Sequence, residues 1–184
     1  DWSSDVCSSD LLLVNGGANP NTPVASGETP LMTCARSGNL GGVMMLLARD
    51  ANVNAKEPSM NQTALMWAAA ERHPDVVKAL LQAKADFKAT TKQGFTALHF
   101  AAREGDTESA KLLVAAGADI NSRTVPAAIR SRNGGSVQAV NRGAGTKSAA
   151  TDGYTPLLVA TVRGEVQMAL SLLEQGADPN VLDA

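Results

Sequence analysis

Residues Gly94 to Asn121 read GFTALHFAAREGDTESAKLLVAAGADIN. A threonine, Thr96, precedes a short apolar run, where its hydroxyl can accept a hydrogen bond from an orphan N–H in the first turn of a helix. Gly105 and Gly117 fall where each of two helices must stop and the backbone turn through positive φ. The stretch therefore predicts a pair of short helices. One such pair cannot bury its apolar stripe alone, so it needs neighbours of the same kind.

Those neighbours are present. The tetrapeptides TPLM, TALM, TALH and TPLL begin at Thr29, Thr63, Thr96 and Thr155, in steps of 34, 33 and 59 residues, the last being one period of 33 and 26 residues more. A second marker runs in phase: GANPN at Gly17, DANVN at Asp50, KADFK at Lys84, GADIN at Gly117 and GADPN at Gly176. Two markers at one period identify an array of repeated units. Pro30 and Pro156 follow their threonines at the first helical position, where a missing N–H costs nothing. The second helix of each unit shows apolar residues at helical spacing, as in Val76, Val77, Leu80 and Leu81, or Met168, Ala169, Leu172 and Leu173.

The order G-x-T-P-L-H-x-A-A, a spacer with paired leucines, then G-A-D-x-N resembles the ankyrin repeat, and the resemblance covers nearly everything from Leu11 to Ala184 except one insert. It implies an all-α fold: an ankyrin-type helical repeat solenoid with short β-hairpin loops between repeats. The expected organisation is a partial repeat over 11–21, repeats over 22–55, 56–89 and 90–122, an insert over 123–150 and a last repeat over 151–184. Arg72 and Lys84 stand where the pattern has glycine, so the second full repeat is the expected weak link, at a cost on the order of 1 kcal/mol for each side chain held in a left-handed backbone. Histidine appears in only one tetrapeptide, at His99, with Met32, Met66 and Leu158 in its place elsewhere.

Composition agrees with stacked helices. Hydrophobic residues make up 44% of the chain and aromatics only 3%, so the core is built from Leu, Val, Ala and Met rather than from the aromatic and β-branched residues a sandwich would need. A formal charge of −2 gives no general reason to expect nucleic acid or an anionic membrane as partner. No window approaches the roughly 18 consecutive apolar residues of a membrane-spanning helix.

The insert Arg123 to Ala150, RTVPAAIRSRNGGSVQAVNRGAGTKSAA, has no acid and no aromatic residue. Arg123, Arg130, Arg132, Arg142 and Lys147 give it +5, which leaves −7 on the remainder. It falls in a loop joining two repeats, where a flexible, solvated, projecting segment is expected. A basic arm for an acidic partner or a phosphate backbone is the competing reading. The lack of stacking aromatics disfavours it.

No residue set suggests catalysis, a metal or a cofactor. GAGTKS, Gly143 to Ser148, fails as a phosphate loop because Thr146 and Asn141 stand where glycines are needed and no apolar strand precedes it. His99 and His73 have no partners at catalytic or metal spacing and read as structural, at the start of a first helix and in the turn into a second. Asn61-Gln62-Thr63 matches a glycosylation acceptor pattern, but Thr63 already serves as a helix cap. Cys7 and Cys34 offer no disulfide framework; Cys34 aligns with Ala68, Ala101 and Ala160 and reads as a small core residue.

The resemblance implies a non-catalytic scaffold for protein–protein interaction, monomeric, with an unidentified protein partner docking on the loop fingers and the concave face of the first helices. The candidate contact residues are Met60, Asn61, Gln93, Phe95, Asp152 and Tyr154 at the fingers, and Arg36, Trp67, Glu71, Phe100, Arg103, Glu104 and Arg163 on the helices. Two other readings stay open: a regulatory or targeting arm of a larger enzyme, and nucleic-acid or acidic-partner binding through the basic insert. The opening DWSSDVCSSD, written back into codons, resembles a common sequencing-library adapter. Residues 1–10 are accordingly expected to be non-native, to leave the array short of a polar N-terminal cap, and to leave an apolar face under Leu11 to Val14 uncovered.

Overall fold

The computed structural model describes residues 2–124 and 153–180. Four helical hairpins follow one another: α2 (Pro30–Arg36) with α3 (Leu40–Leu47), α4 (Ala64–Ala70) with α5 (Pro74–Gln82), α6 (Ala97–Glu104) with α7 (Thr107–Ala115), and α8 (Pro156–Arg163) with α9 (Val166–Glu174). A longer helix, α1 (Trp2–Asn15), precedes them and packs on α2 and α3. First helices pack in the series α2, α4, α6, α8, and second helices in the series α3, α5, α7, α9.

Three of the four threonine caps form as the sequence predicts, whereas the Thr96 hydroxyl lies 2.8 Å from His99 Nδ1 instead. Thr29, Thr63 and Thr155 Oγ1 accept from the N–H of Met32, Met66 and Leu158 at 3.4, 3.4 and 3.2 Å. The first helices α2, α4 and α6 are mostly buried because each lies between two others, whereas α8 has α6 on one side and leaves Thr161 to Arg163 exposed; small residues let the backbones approach, and Cys34, Ala68, Ala101 and Ala160 are each 0% exposed. Leu46, Leu80, Leu113 and Leu172 of the second helices close the same core.

The marker sequences explain the joints between hairpins. In each of the five, the third residue's side-chain oxygen accepts from the N–H two residues on, a local turn that Asn and Asp form readily. The fifth residue then reaches the next repeat: Asn21 Oδ1 accepts from Asn52 N–H at 2.7 Å, Asn54 Oδ1 from Asp86 N–H at 2.7 Å, and Asn121 Oδ1 from Asp178 N–H at 3.0 Å. Lys88 occupies the same place in the second full repeat and has no acceptor to offer, so that joint lacks its rung.

The loops between hairpins are fingers closed by a backbone rung, Val24 N–H to Glu28 O, Glu57 N–H to Gln62 O and Thr91 N–H to Phe95 O; among the described residues none extends into a strand. The fourth finger is closed in the same way by Thr124 N–H to Tyr154 O at 3.1 Å. Gly153 is required there: its φ is +78°, and a Cβ would collide with the carbonyl oxygen of Thr124. The long excursion therefore leaves and rejoins at a finger tip whose stem is intact.

Arg72 and Lys84 do adopt left-handed backbone, with φ of 61° and 63°, and so does Asp50, at 60°. Two expectations at the N-terminus need correction: that Cys7 and Cys34 form no disulfide, and that the apolar face under Leu11 to Val14 is left uncovered. Helix α1 runs unbroken across residue 10, and Cys7 forms a disulfide with Cys34 at 2.01 Å. Cys7, Leu11 and Val14 are spaced by four and three residues, so they share the face of α1 that docks on α2, and Cys34 lies on the buried seam opposite. Val14 is buried in consequence, whereas Leu12 and Leu13 point outward at 73% and 66% exposure.

Candidate interaction surface

The first helices present one recurrent device. At the place shared by Thr33, Trp67, Phe100 and Val159, the two middle repeats carry an aromatic ring, and an arginine covers each. Arg103 lies one turn after Phe100 on the same helix, and its guanidinium carbon is 4.9 Å from the ring centroid. Ala70 stands where Arg103 would be relative to Trp67, and Arg36 of the preceding repeat covers that ring instead, at 5.2 Å. Such cation–π contacts contribute on the order of 0.5–1 kcal/mol at partly exposed sites. The Arg36 contact also ties two repeats together.

Both arginines are neutralised locally. Arg36 Nη1 donates to Glu28 Oε1 at 3.0 Å and Arg103 Nε to Glu104 Oε1 at 2.6 Å, each pair partly accessible to solvent. Glu71 and Arg163 are exposed. The surface is therefore a set of paired charges around two rings rather than a field of one sign. The rings themselves differ. Trp67 is half-buried with an indole N–H that finds no acceptor among the described residues, whereas Phe100 is only 6% exposed, under Phe95 and Arg103. Phe100 belongs to the stack, because Phe95 from the finger folds over it at a centroid distance of 5.9 Å.

At the fingers, Met60 is exposed and Gln93 braces it, its Nε2 donating to Met60 Sδ at 3.4 Å, while Lys92 N–H donates to Met60 O at 3.0 Å. Asn61 is left-handed at φ 62°, matching the glycines of the other fingers. Phe95 and Tyr154 are half-buried; Asp152 lies outside the described residues. One organising residue escaped the sequence reading. Glu57, 3% exposed, accepts from Ser59 N–H at 2.6 Å, Met60 N–H at 2.7 Å and Gln62 N–H at 3.0 Å. Burial alone would raise its carboxyl pKa, but the combined hydrogen bonds from Ser59, Gln62 and Met60 hold it below the usual value. The tip is thus moulded round a carboxylate.

The two histidines link neighbours. His73, the N-cap residue of α5, places Nε2 3.1 Å from Arg36 O. It also fills the space over Gly38, where a Cβ would meet its ring at 2.6 Å. His99 is wholly buried: Thr96 N–H donates to Nδ1 at 3.2 Å, so Nε2 carries the proton and donates to Tyr154 O at 2.9 Å. Burial lowers its pKa to about 4, against smaller upward pulls from the Tyr154 and Ser122 backbone and the Asp119 charge. Among the described residues no group of three or more His, Cys, Asp or Glu could hold a metal ion, and no helix is long and apolar enough to cross a membrane.

Comparison with known proteins accords with this geometry. A family model described as ankyrin repeats (3 copies) matches residues 7–91 and 56–124, and one described as ankyrin repeat matches 152–184. Similar curated proteins include the ankyrin repeat and SAM domain-containing protein 6 of Rattus norvegicus, 35% identical over 52% of this chain and 11% of that protein. The nuclear factor NF-kappa-B p105 subunit of Gallus gallus is 34% identical over 59% of this chain and 11% of its own length. The palmitoyltransferase AKR1 of Lachancea kluyveri is 28% identical over 77% of this chain and 21% of its own. The chain thus spans a tenth to a fifth of the length of these relatives.

Proposed function

This chain belongs to the ankyrin repeat family, whose repeats mediate protein–protein interaction, and from that premise we propose that it is a non-catalytic scaffold docking a protein partner across its first helices and finger tips. The observation that carries the reading is the pair of arginine-covered rings at one register of α4 and α6, with Met60 exposed at a finger tip. A half-buried tryptophan and paired, partly hydrated arginines offer both apolar area and hydrogen bonds, the combination that dominates protein interfaces. The expected contacts are Trp67, Arg36, Arg103 and Met60, with Glu71, Glu104 and Arg163 at the rim.

The test is panning of a displayed random-peptide library on the whole chain, followed by titration of a selected peptide against Trp67→Ala and Arg103→Ala. Each substitution should weaken binding by about tenfold, corresponding to roughly 1.4 kcal/mol. Unchanged affinity in both would sink this assignment of the surface.

A second reading, in which these repeats serve as the regulatory or targeting arm of a larger enzyme, draws support from the resemblance to a palmitoyltransferase over most of the chain. It concerns the whole protein rather than the surface, and a longer reading frame encoding a catalytic domain decides it.

A further inference from the structure

We infer that the joint between α6 and α8 is an acid-released clamp, in which a proton on His99 undocks the Thr124–Tyr154 finger stem while the joints on either side of the second repeat hold. The geometry carries this. His99 joins the N-cap of its own helix to the stem of the next finger: Nδ1 is the acceptor for Thr96 N–H, and Nε2–H donates to Tyr154 O, which also closes the stem by accepting from Thr124 N–H. A proton taken up from solvent at Nδ1 converts that acceptor to a donor, which turns to the Thr96 hydroxyl 2.8 Å away, leaves Thr96 N–H without its acceptor, and puts a charge on a ring with 0% exposure. Opening the stem lets water reach the ring and hydrate its charge.

The surroundings do little to oppose this. Helix α4 carries no ionisable side chain, and α8 carries only Arg163, exposed at its C-terminal end. On α7, Glu108 and Lys111 are exposed, and on α6 itself Arg103 and Glu104 pair with each other. Asp119, after α7, favours the protonated ring but is outweighed by burial, and Tyr154 offers its carbonyl. The corresponding positions at the earlier joints are Met32 and Met66, which cannot titrate; Met32 Sδ receives Thr29 N–H at 3.5 Å in place of the ring nitrogen. At this register of the first helices, only the joint of the finger that carries the long excursion has a titratable side chain.

With a pKa of about 4 when closed and the ordinary 6.5 when open, the stem should be about 20-fold more open at pH 5 than at pH 7. Amide hydrogen exchange on the whole chain, corrected for intrinsic rates, reads this directly. Thr124 and Tyr154 should lose protection by that factor, while Thr91, which closes the equivalent rung beside Met66, should not respond. His99→Met, copying the other joints, should remove the difference. An equal response at Thr91, or a response that survives in His99→Met, overturns the proposal. Nitrogen chemical shifts of His99 in the unsubstituted chain test it independently: an Nδ1-protonated tautomer at neutral pH, or a titration midpoint near 6.5, also overturns it.

Discussion

Replacing Arg72 and Lys84 by glycine should stabilise the chain, although it deletes two long side chains and adds no contact. Both residues are exposed and left-handed, and they flank α5 at the places where the other repeats mostly have glycine. Holding an L-residue there costs roughly 1–2 kcal/mol. Glycine gives back about 0.4–1 kcal/mol of that through the greater freedom of its unfolded chain. The net gain is about 0.5–1 kcal/mol per site, and about 1–2 kcal/mol for the double variant if the two act independently. With a urea slope of about 2–3 kcal/mol per molar, the unfolding midpoint followed by circular dichroism should rise by about 0.5 M. Because neighbouring units couple in such stacks, the gain should appear first as slower hydrogen exchange in α5. Asp50→Gly, at the site equivalent to Lys84 in the first repeat, should gain less, since aspartate tolerates this conformation better than lysine. An unchanged or lowered midpoint in the double variant, at unchanged slope, would refute the argument and mean that the two side chains make contacts worth as much as the strain.

Lys88→Asn should restore the missing joint rung by giving Asp119 N–H the acceptor its counterparts have, for a gain of about 1 kcal/mol; thermal unfolding of Lys88→Asn against Lys88→Ala separates the rung from mere loss of the lysine. Glu57→Gln should cost about 2 kcal/mol by weakening the hydrogen bonds that shape its finger tip. Because the folded pKa of Glu57 is depressed, its contribution is fully present above the ordinary 4.5 and is lost as pH falls through the folded value. Acid titration of stability should therefore be shallower below pH 4.5 in Glu57→Gln than in the parent, and identical slopes would contradict it.

The repeat architecture was legible because each threonine, glycine and leucine in the period answers a local need: a cap, a turn or a buried seam. The left-handed backbone at Arg72 and Lys84 was legible for the same reason, and the missing joint rung at Lys88 could have been read from its break in the marker. Other features depend on which turns the fold brings together. Arg36 covers Trp67 only because Ala70 leaves that ring without an arginine of its own. Phe100 looks from sequence like Trp67, yet Phe95 seals it. Glu57 reads as an ordinary surface acid until the finger bends its own backbone round the carboxylate. The pairing of Cys7 with Cys34 was not legible, because the adapter-like look of residues 1–10 draws attention away from the spacing that joins Cys7 to Leu11 and Val14 on one face.

The intact stem of the fourth finger also bears on how freely this chain can vary. Thr91 and Phe95 close a rung across four residues, and Thr124 and Tyr154 close the same rung across 30. For a flexible connection that difference costs about 2 kcal/mol of chain entropy, comparable to what the rung and the His99 contact return. The dependence on length is logarithmic, so doubling the excursion again would add only about 0.6 kcal/mol. Once the first residues are accommodated, further growth or loss at this tip is close to neutral for folding, so its length is set by something other than the stability of the stack.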